Sequence, residues 1–175
     1  MEKLIDPQTV NEILVLIELY GFVVVFFFTL LQSVGLPLPA QTVLITAGVM
    51  VGQGLGDPLY IVGFGLAGAL LGSQIGYSVG SRGGRTFVLR WGRYIFITPE
   101  RLERAEKLFG NRAERTVLIA RFVPVLKTFG YLVAGIVLMP RIAFFRSDLL
   151  GTVVWVVASV GAGYLVSESV MAFVE

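Results

Sequence analysis

The chain has 175 residues, is 55% hydrophobic and 15% charged, and has a mean hydropathy of +0.81. A soluble domain carries about 25% charged residues, so this reads as a single integral membrane domain over 1–175. With no Cys and no His, disulfides, thiol chemistry and the usual phosphatase or acyl-transfer constellations are excluded.

The first 20 residues hold Glu2, Asp6, Glu12 and Glu18 against Lys3 alone. A cleaved signal peptide starts basic and ends at a small-residue site; neither is present, so the first apolar segment is expected to stay in the protein. Thirty-eight residues between Glu18 and Asp57 carry no charge. One span needs about 20 apolar residues, and Leu19 to Val34 plus a preceding turn supplies it. Gly35 to Gly56 is broken by Pro37, Pro39, Gly48 and further glycines. Two prolines block a continuous helix, so a helix–turn–helix that enters the membrane and returns is predicted at about 35–56.

Pro58 to Ser81 is the next span. Gly68, Gly72, Gly76 and Gly80 fall every four residues on one helix face, where another backbone can approach closely. Packing within the fold is the main reading and a homodimer face the other. Arg82 to Arg115 holds nine cations and four acids, net +5. Within it, Thr98 reads as an N-cap with Pro99 at the first helical position and an acid behind it. An amphipathic surface helix near lipid headgroups follows, over about 98–112. Its basic surroundings place the loop 82–115 in the cytoplasm.

Thr116 to Pro140 is a second broken apolar segment, predicted as a second hairpin at about 116–140. It holds Arg121 and Lys127 among Pro124, Gly130 and Gly135. Ionisable groups at membrane depth mark a candidate site, and irregular backbone survives there only inside protein or beside a water-filled cavity. Arg121 offers a planar fork suited to phosphate oxygens and Lys127 a mobile point charge. Either could instead snorkel to the interface or satisfy freed carbonyls. Arg141, Arg146 and Asp148 follow as flanking charges, and Leu149 to Ser167 makes a third span.

An internal repeat links these parts. Pro37 and Pro124, Ala47-Gly48 and Ala134-Gly135, and Gly76-Tyr77 and Gly163-Tyr164 are each 87 residues apart. Broken segment then full span occurs twice, in opposite orientation, as in inverted-repeat transporters. The expected fold is all-α: an inverted repeat of re-entrant helical hairpin plus transmembrane helix, with a cytoplasmic amphipathic helix.

From about Phe28 to Tyr164 the residues resemble the DedA family, also called the SNARE-associated or VTT-domain family. The resemblance rests on Gly35-Leu-Pro-Leu-Pro39, Ala47-Gly48, Leu71-Gly-Ser-Gln-Ile-Gly-Tyr77 and Thr98-Pro-Glu-Arg-Leu102. It rests most on Ala120-Arg-Phe-Val-Pro124 through Lys127 to Ala134-Gly135, with Phe144 and Trp155 at aromatic positions. It implies two facing re-entrant hairpins and a part in moving lipids, undecaprenyl phosphate or phospholipid, across the bacterial plasma membrane. It also implies dependence on the proton-motive force. Many members carry acids where this chain has Gln32, Gln41 and Ser73, and Arg where it has Lys127. Those three side chains do not titrate near neutral pH, so a carboxylate relay through them is not expected.

The leading expectation is therefore a lipid transporter whose buried cations Arg121 and Lys127, without a buried acid, take a phosphate. Gln32, Gln41 and Ser73 are the further candidate headgroup contacts, and the two glutamines could equally close backbone groups at the Pro37–Pro39 break. Pro37, Pro39, Gly48, Pro124 and Gly135 are read as hairpin architecture. A proton-coupled ion or solute transporter is an alternative that needs another titrating group, such as Glu18. A non-transport scaffold using the glycine face and the amphipathic helix is another. No metal, cofactor, enzymatic centre or nucleic-acid partner is expected, since no acid run has ligand spacing and no Walker or dinucleotide glycine motif occurs.

Overall fold

The computed structural model describes residues 7–92, 98–109, 113–123 and 126–174; the side chains of 7–19, 91–92, 101, 120, 126–129 and 170–174 also lie outside the described set. Among the described residues there are seven helices and no strand: α1 (Pro7–Val34), α2 (Ala40–Gly52), α3 (Pro58–Gly92), α4 (Pro99–Phe109), α5 (Ala113–Ala120), α6 (Leu126–Ile136) and α7 (Arg141–Val174). The all-α expectation holds.

Two helices, α3 and α7, are long and apolar enough to cross a membrane, over Pro58–Arg90 and Arg141–Ser169. Between them sit short apolar helices. The 13 residues of α2 rise about 20 Å and the 11 of α6 about 16 Å, less than the roughly 30 Å of a bilayer core. The first broken segment differs from its expected form. Residues 35–56 do not fold as helix–turn–helix; they form a connector at 35–39, the single helix α2, and a turn. Pro37 and Pro39 lack the N–H that would continue α1, and beyond Pro39 nothing interrupts the helix until Gly52. In the second segment α5 ends at Ala120 and α6 begins at Leu126, and Pro124, the residue read as its break, lies outside the described residues.

Helix ends follow local chemistry. At the end of α1, Leu36 N–H reaches Leu31 O and Gly35 N–H reaches Gln32 O, both at 3.1 Å. At the end of α2, Leu55 N–H reaches Met50 O at 2.8 Å and Gly54 N–H reaches Val51 O at 2.9 Å. These paired bonds close a helix through a left-handed residue, here Gly54 with φ 78°. The end of α6 repeats the pattern with Leu138 at φ 52°, a conformation most non-glycine residues avoid. In α4 the reading of the N-terminus holds: the helix starts at Pro99, and Leu102 N–H reaches Thr98 O at 3.0 Å. Backbone and Thr98 hydrogen bonds hold the exposed Glu100 carboxyl below its usual value.

The packing is two-fold in pattern. α2 lies on α7, and its counterpart α6 lies on α3; α1 lies on α3, and α5 on α7; α3 and α7 also meet. Each short helix thus packs on the long helix of the other half. Glycines make these crossings possible, because lipid gives helices no hydrophobic reason to associate and close van der Waals approach must do it. A Cβ at Gly48 would collide with the Val160 carbonyl of α7, and one at Gly163 with the Ile45 carbonyl of α2. In the other half, a Cβ at Gly135 would collide with the Tyr77 carbonyl of α3, and one at Gly80 with the Leu132 carbonyl of α6. The glycines singled out by the 87-residue offset therefore lie at the crossings.

The glycine face packs within the fold, the main expectation for it, and the amphipathic helix also has a covered face. Gly68 and Gly72 face the Phe26 and Leu30 carbonyls of α1, Gly76 lies between the Ser33 carbonyl of α1 and Tyr131 of α6, and Gly80 faces α6. The glycine face is spent within the fold and is not open to a second copy. The apolar face of α4 is likewise buried: Leu102, Ala105 and Phe109 join Val88, Val117 and Tyr131 in one core cluster. Its polar side carries the Glu103–Lys107 ion pair at 2.8 Å, and Glu106 pairs with Arg85 at 3.6 Å. The apolar face of the helix docks on protein, and its polar face stays exposed.

Candidate functional site

Arg121 follows directly on α5, where the chain turns before the break. The guanidinium does not leave the protein for the interface: the residue is 5% exposed. Its Nη2 donates to Asp148 Oδ1 at 2.8 Å. Asp148 lies two turns into α7 and is 1% exposed. Its other oxygen, Oδ2, accepts from the Ser73 hydroxyl of α3, and Thr152 Oγ1 stands 3.4 Å from Oδ1 while donating to the Asp148 carbonyl at 2.6 Å. Three elements meet here: the turn after α5 and both long helices.

The expectation of buried cations without a buried acid is thereby corrected for Arg121. Asp148 looked like a flanking charge because an apolar span begins at the next residue. The helix starts earlier, at Arg141, so Asp148 is carried inside. The acid absent at Ser73 is met in space from another helix, with the Ser73 hydroxyl bound to the Asp148 carboxylate.

Aromatic faces complete the pocket. The Arg121 Cζ lies 5.2 Å from the Tyr131 ring centroid and 5.7 Å from that of Trp155. Such contacts contribute about 2 kcal/mol when desolvated. Two buried donors here have no hydrogen-bond acceptor, Arg121 Nε and Trp155 Nε1. A buried unsatisfied donor costs about 1–3 kcal/mol. One edge of the guanidinium is held by Asp148, and its Nε faces no acceptor.

The other predicted residues separate. Gln32, buried on α1, accepts the Ala40 N–H at 3.1 Å through its side-chain oxygen and so caps α2 across the Pro37–Pro39 connector. That is the backbone-closing role. Gln41 is exposed on the first turn of α2. Ser73 joins the ion pair. The Lys127 side chain lies outside the described residues. Asp148, Trp155 and Tyr131 are the residues that sequence reasoning missed as site members. The signal for Asp148 was an acid at the edge of an apolar segment, seven residues after Arg141 and seven before Trp155.

The chain matches the VTT domain family over residues 38–165. It is 33% identical over 153 residues to an uncharacterized membrane protein of Synechocystis, covering 86% of this chain and 69% of that protein. It is 29% identical over 126 residues to undecaprenyl phosphate transporter A of Bacillus subtilis, covering 72% and 64%. An alkaline phosphatase-like protein of Lactococcus lactis is 28% identical over 158 residues, covering 86% and 72%. The chain spans about two thirds of the length of these relatives, and 59% of one from Mycobacterium tuberculosis. No solved structure matches it. A match across most of the chain, on a helical fold with two apolar spans, fixes the assignment: this chain belongs to the VTT domain family, the DedA family, of membrane proteins.

Proposed function

We propose that this protein moves an anionic lipid, a phospholipid or undecaprenyl phosphate, across the bacterial plasma membrane. The observation that carries the reading is the half-held guanidinium of Arg121, buried where the two halves meet, with Nε and the neighbouring Trp155 Nε1 lacking acceptors. A phosphate oxygen satisfies such donors with charge-assisted hydrogen bonds. Asp148 keeps the cation neutralised when no cargo is present, which offsets the cost of a buried charge. Lys127, the second residue of α6, is assigned as the second cation on its place in the sequence. The short helices α2 and α6 act as re-entrant halves, and exchange of their exposure carries the headgroup across while the tail stays in lipid. A relative named for undecaprenyl phosphate transport supports this substrate class.

Headgroup translocation in liposomes tests it. Arg121→Ala and Lys127→Ala are each expected to slow translocation at least tenfold, the effect of losing about 1.4 kcal/mol at the seat. Unchanged rates in both, with folded protein, would sink the reading. The orientation that goes with it puts the loop 82–115 in the cytoplasm. Single cysteines at positions 57, 110 and 141 are then expected outside, inside and inside by labelling in cells.

A second reading is favoured by one observation. Proton coupling needs a buried carboxyl, and Asp148 is buried against Ser73 and Arg121. It takes the part otherwise assigned to Glu18. If coupling operates here, an imposed pH gradient drives flux in the parent protein and not in Asp148→Asn. A phosphatase-like role is not proposed, because the chain has neither His nor Cys to serve one.

A further inference from the structure

A second polar feature lies on α3, apart from the buried pair. Gln74, Ser78 and Arg82 are four residues apart and so form one stripe along the helix. They line a groove of about 720 Å³ together with Leu71 and Ile75. Arg141, the first residue of α7, reaches over the same place, its Nη2 donating to Ser78 Oγ at 3.3 Å. Ser78 donates in turn to the Gln74 carbonyl at 2.7 Å.

We propose that this groove is a lateral seat for one anionic lipid, its phosphate held between Arg82 and Arg141 and its chain lying on Leu71 and Ile75. The charge is the first argument. The ion pairs among the described residues are Arg85–Glu106, Lys107–Glu103 and Arg121–Asp148, so neither Arg82 nor Arg141 is neutralised by an acid there. Arg82 lines the groove and Arg141 bonds Ser78 of its wall, and two such guanidinium groups call for an anion, as basic pockets between membrane helices hold lipid headgroups.

The walls supply the second argument. Leu71 is 52% and Ile75 45% exposed on a helix of membrane-spanning length, so the ligand that fills the groove must carry hydrocarbon as well as charge. Placement is the third. Arg82 lies two residues before Gly84, whose φ of 66° kinks α3, and Arg141 begins α7, so both stand at the ends of straight helical segments.

The deep end of the stripe gives the seat a direction. Gln74 Nε2 is buried without an acceptor. Its neighbour Ser73 bonds Asp148, the partner of Arg121. Polar groups thus run from Arg82 toward the buried pair, about 12 Å along α3 to Gln74. As an entry seat for cargo, the groove rests on the transport reading; as a lipid-binding site, it does not.

Native mass spectrometry of the purified protein, with equal phosphatidylglycerol and phosphatidylcholine, tests the seat. One phosphatidylglycerol is expected to be retained with about tenfold preference, equivalent to about 1.4 kcal/mol. Arg82→Gln with Arg141→Gln should remove that preference, and Arg82→Lys with Arg141→Lys should keep most of it. Arg90→Gln, exposed on α3 beyond the kink and outside the groove, should leave it intact. A fluorophore on Ile75→Cys should be quenched by chain-brominated phosphatidylglycerol, and not in the Gln/Gln background. Equal retention of the two lipids, or an undiminished preference in the Gln/Gln protein, overturns the seat. If translocation survives Arg121→Ala while the phosphatidylglycerol preference stands, the transport reading falls and the seat remains.

Discussion

In the first half of the molecule α2 crosses α7 at Gly48, and the connector before α2 is closed by the neutral amide of Gln32. In the second half α6 crosses α3 at Gly135, and the turn before α6 carries Arg121 bound to Asp148. The 87-residue offset that aligns the crossings sets Val34 against Arg121 and Ile61 against Asp148. The first half packs with apolar residues at those places, Ile61 lying in a core cluster with Val25, Leu44 and Trp155. The architecture therefore does not require an ion pair. Buried pairs contribute little net stability, because desolvation offsets the attraction. A pair present in one half alone is better explained by what it does than by what it holds up.

The sharpest way to break this comparison is to unpair the charge. Asp148→Ala leaves a buried guanidinium without its carboxylate, and a loss of about 3–5 kcal/mol is expected in thermal unfolding in detergent. Arg121→Met combined with Asp148→Leu makes the second half apolar like the first; stability is expected within about 1 kcal/mol of the parent or above it, with translocation abolished. A double variant as unstable as Asp148→Ala would show that the second half needs its charge to fold.

A smaller effect tests whether the scaffolds are equivalent. Gly48→Ala and Gly135→Ala each drive a Cβ into a carbonyl of the opposing long helix. Each is expected to cost about 1–3 kcal/mol, and by similar amounts. A twofold difference in unfolding free energy would make one crossing the dominant one.

The smallest expected change separates the two connectors. Gln32→Ala removes the acceptor at the start of α2 and should cost about 1 kcal/mol while leaving lipid translocation at the parent rate. Slowed translocation in a stable Gln32→Ala protein would move Gln32 from capping into the transport site.

Much of this was legible from particular residues. Pro37 and Pro39 had to stop a helix, since neither offers an N–H; Thr98-Pro99 had to start one. The every-fourth glycines had to meet a backbone, although the sequence left open whether it was their own. The structure gives them α1 and α6. Hidden from sequence were the start of α7 at Arg141, eight residues ahead of the uncharged stretch, and the docking of α4 on protein instead of lipid. Both depend on neighbours far along the chain, and periodicity reports only that a face is apolar, not what covers it.

The sequence by itself determined an all-helical membrane protein with two broken segments, three apolar stretches and a repeat, of which the structure makes two into long apolar helices, because hydropathy, proline and glycine act locally on the backbone. It also marked Arg121, since a cation in an apolar run is costly wherever the run folds. Only the tertiary structure decided what that cation meets. Arg121 and Asp148 are 27 residues apart, and Ser73 and Asp148 are 75 apart. They come together because glycine crossings bring α3, α7 and the turn after α5 to one point, and in a low-dielectric interior that meeting fixes which charge is neutralised and which edge stays open.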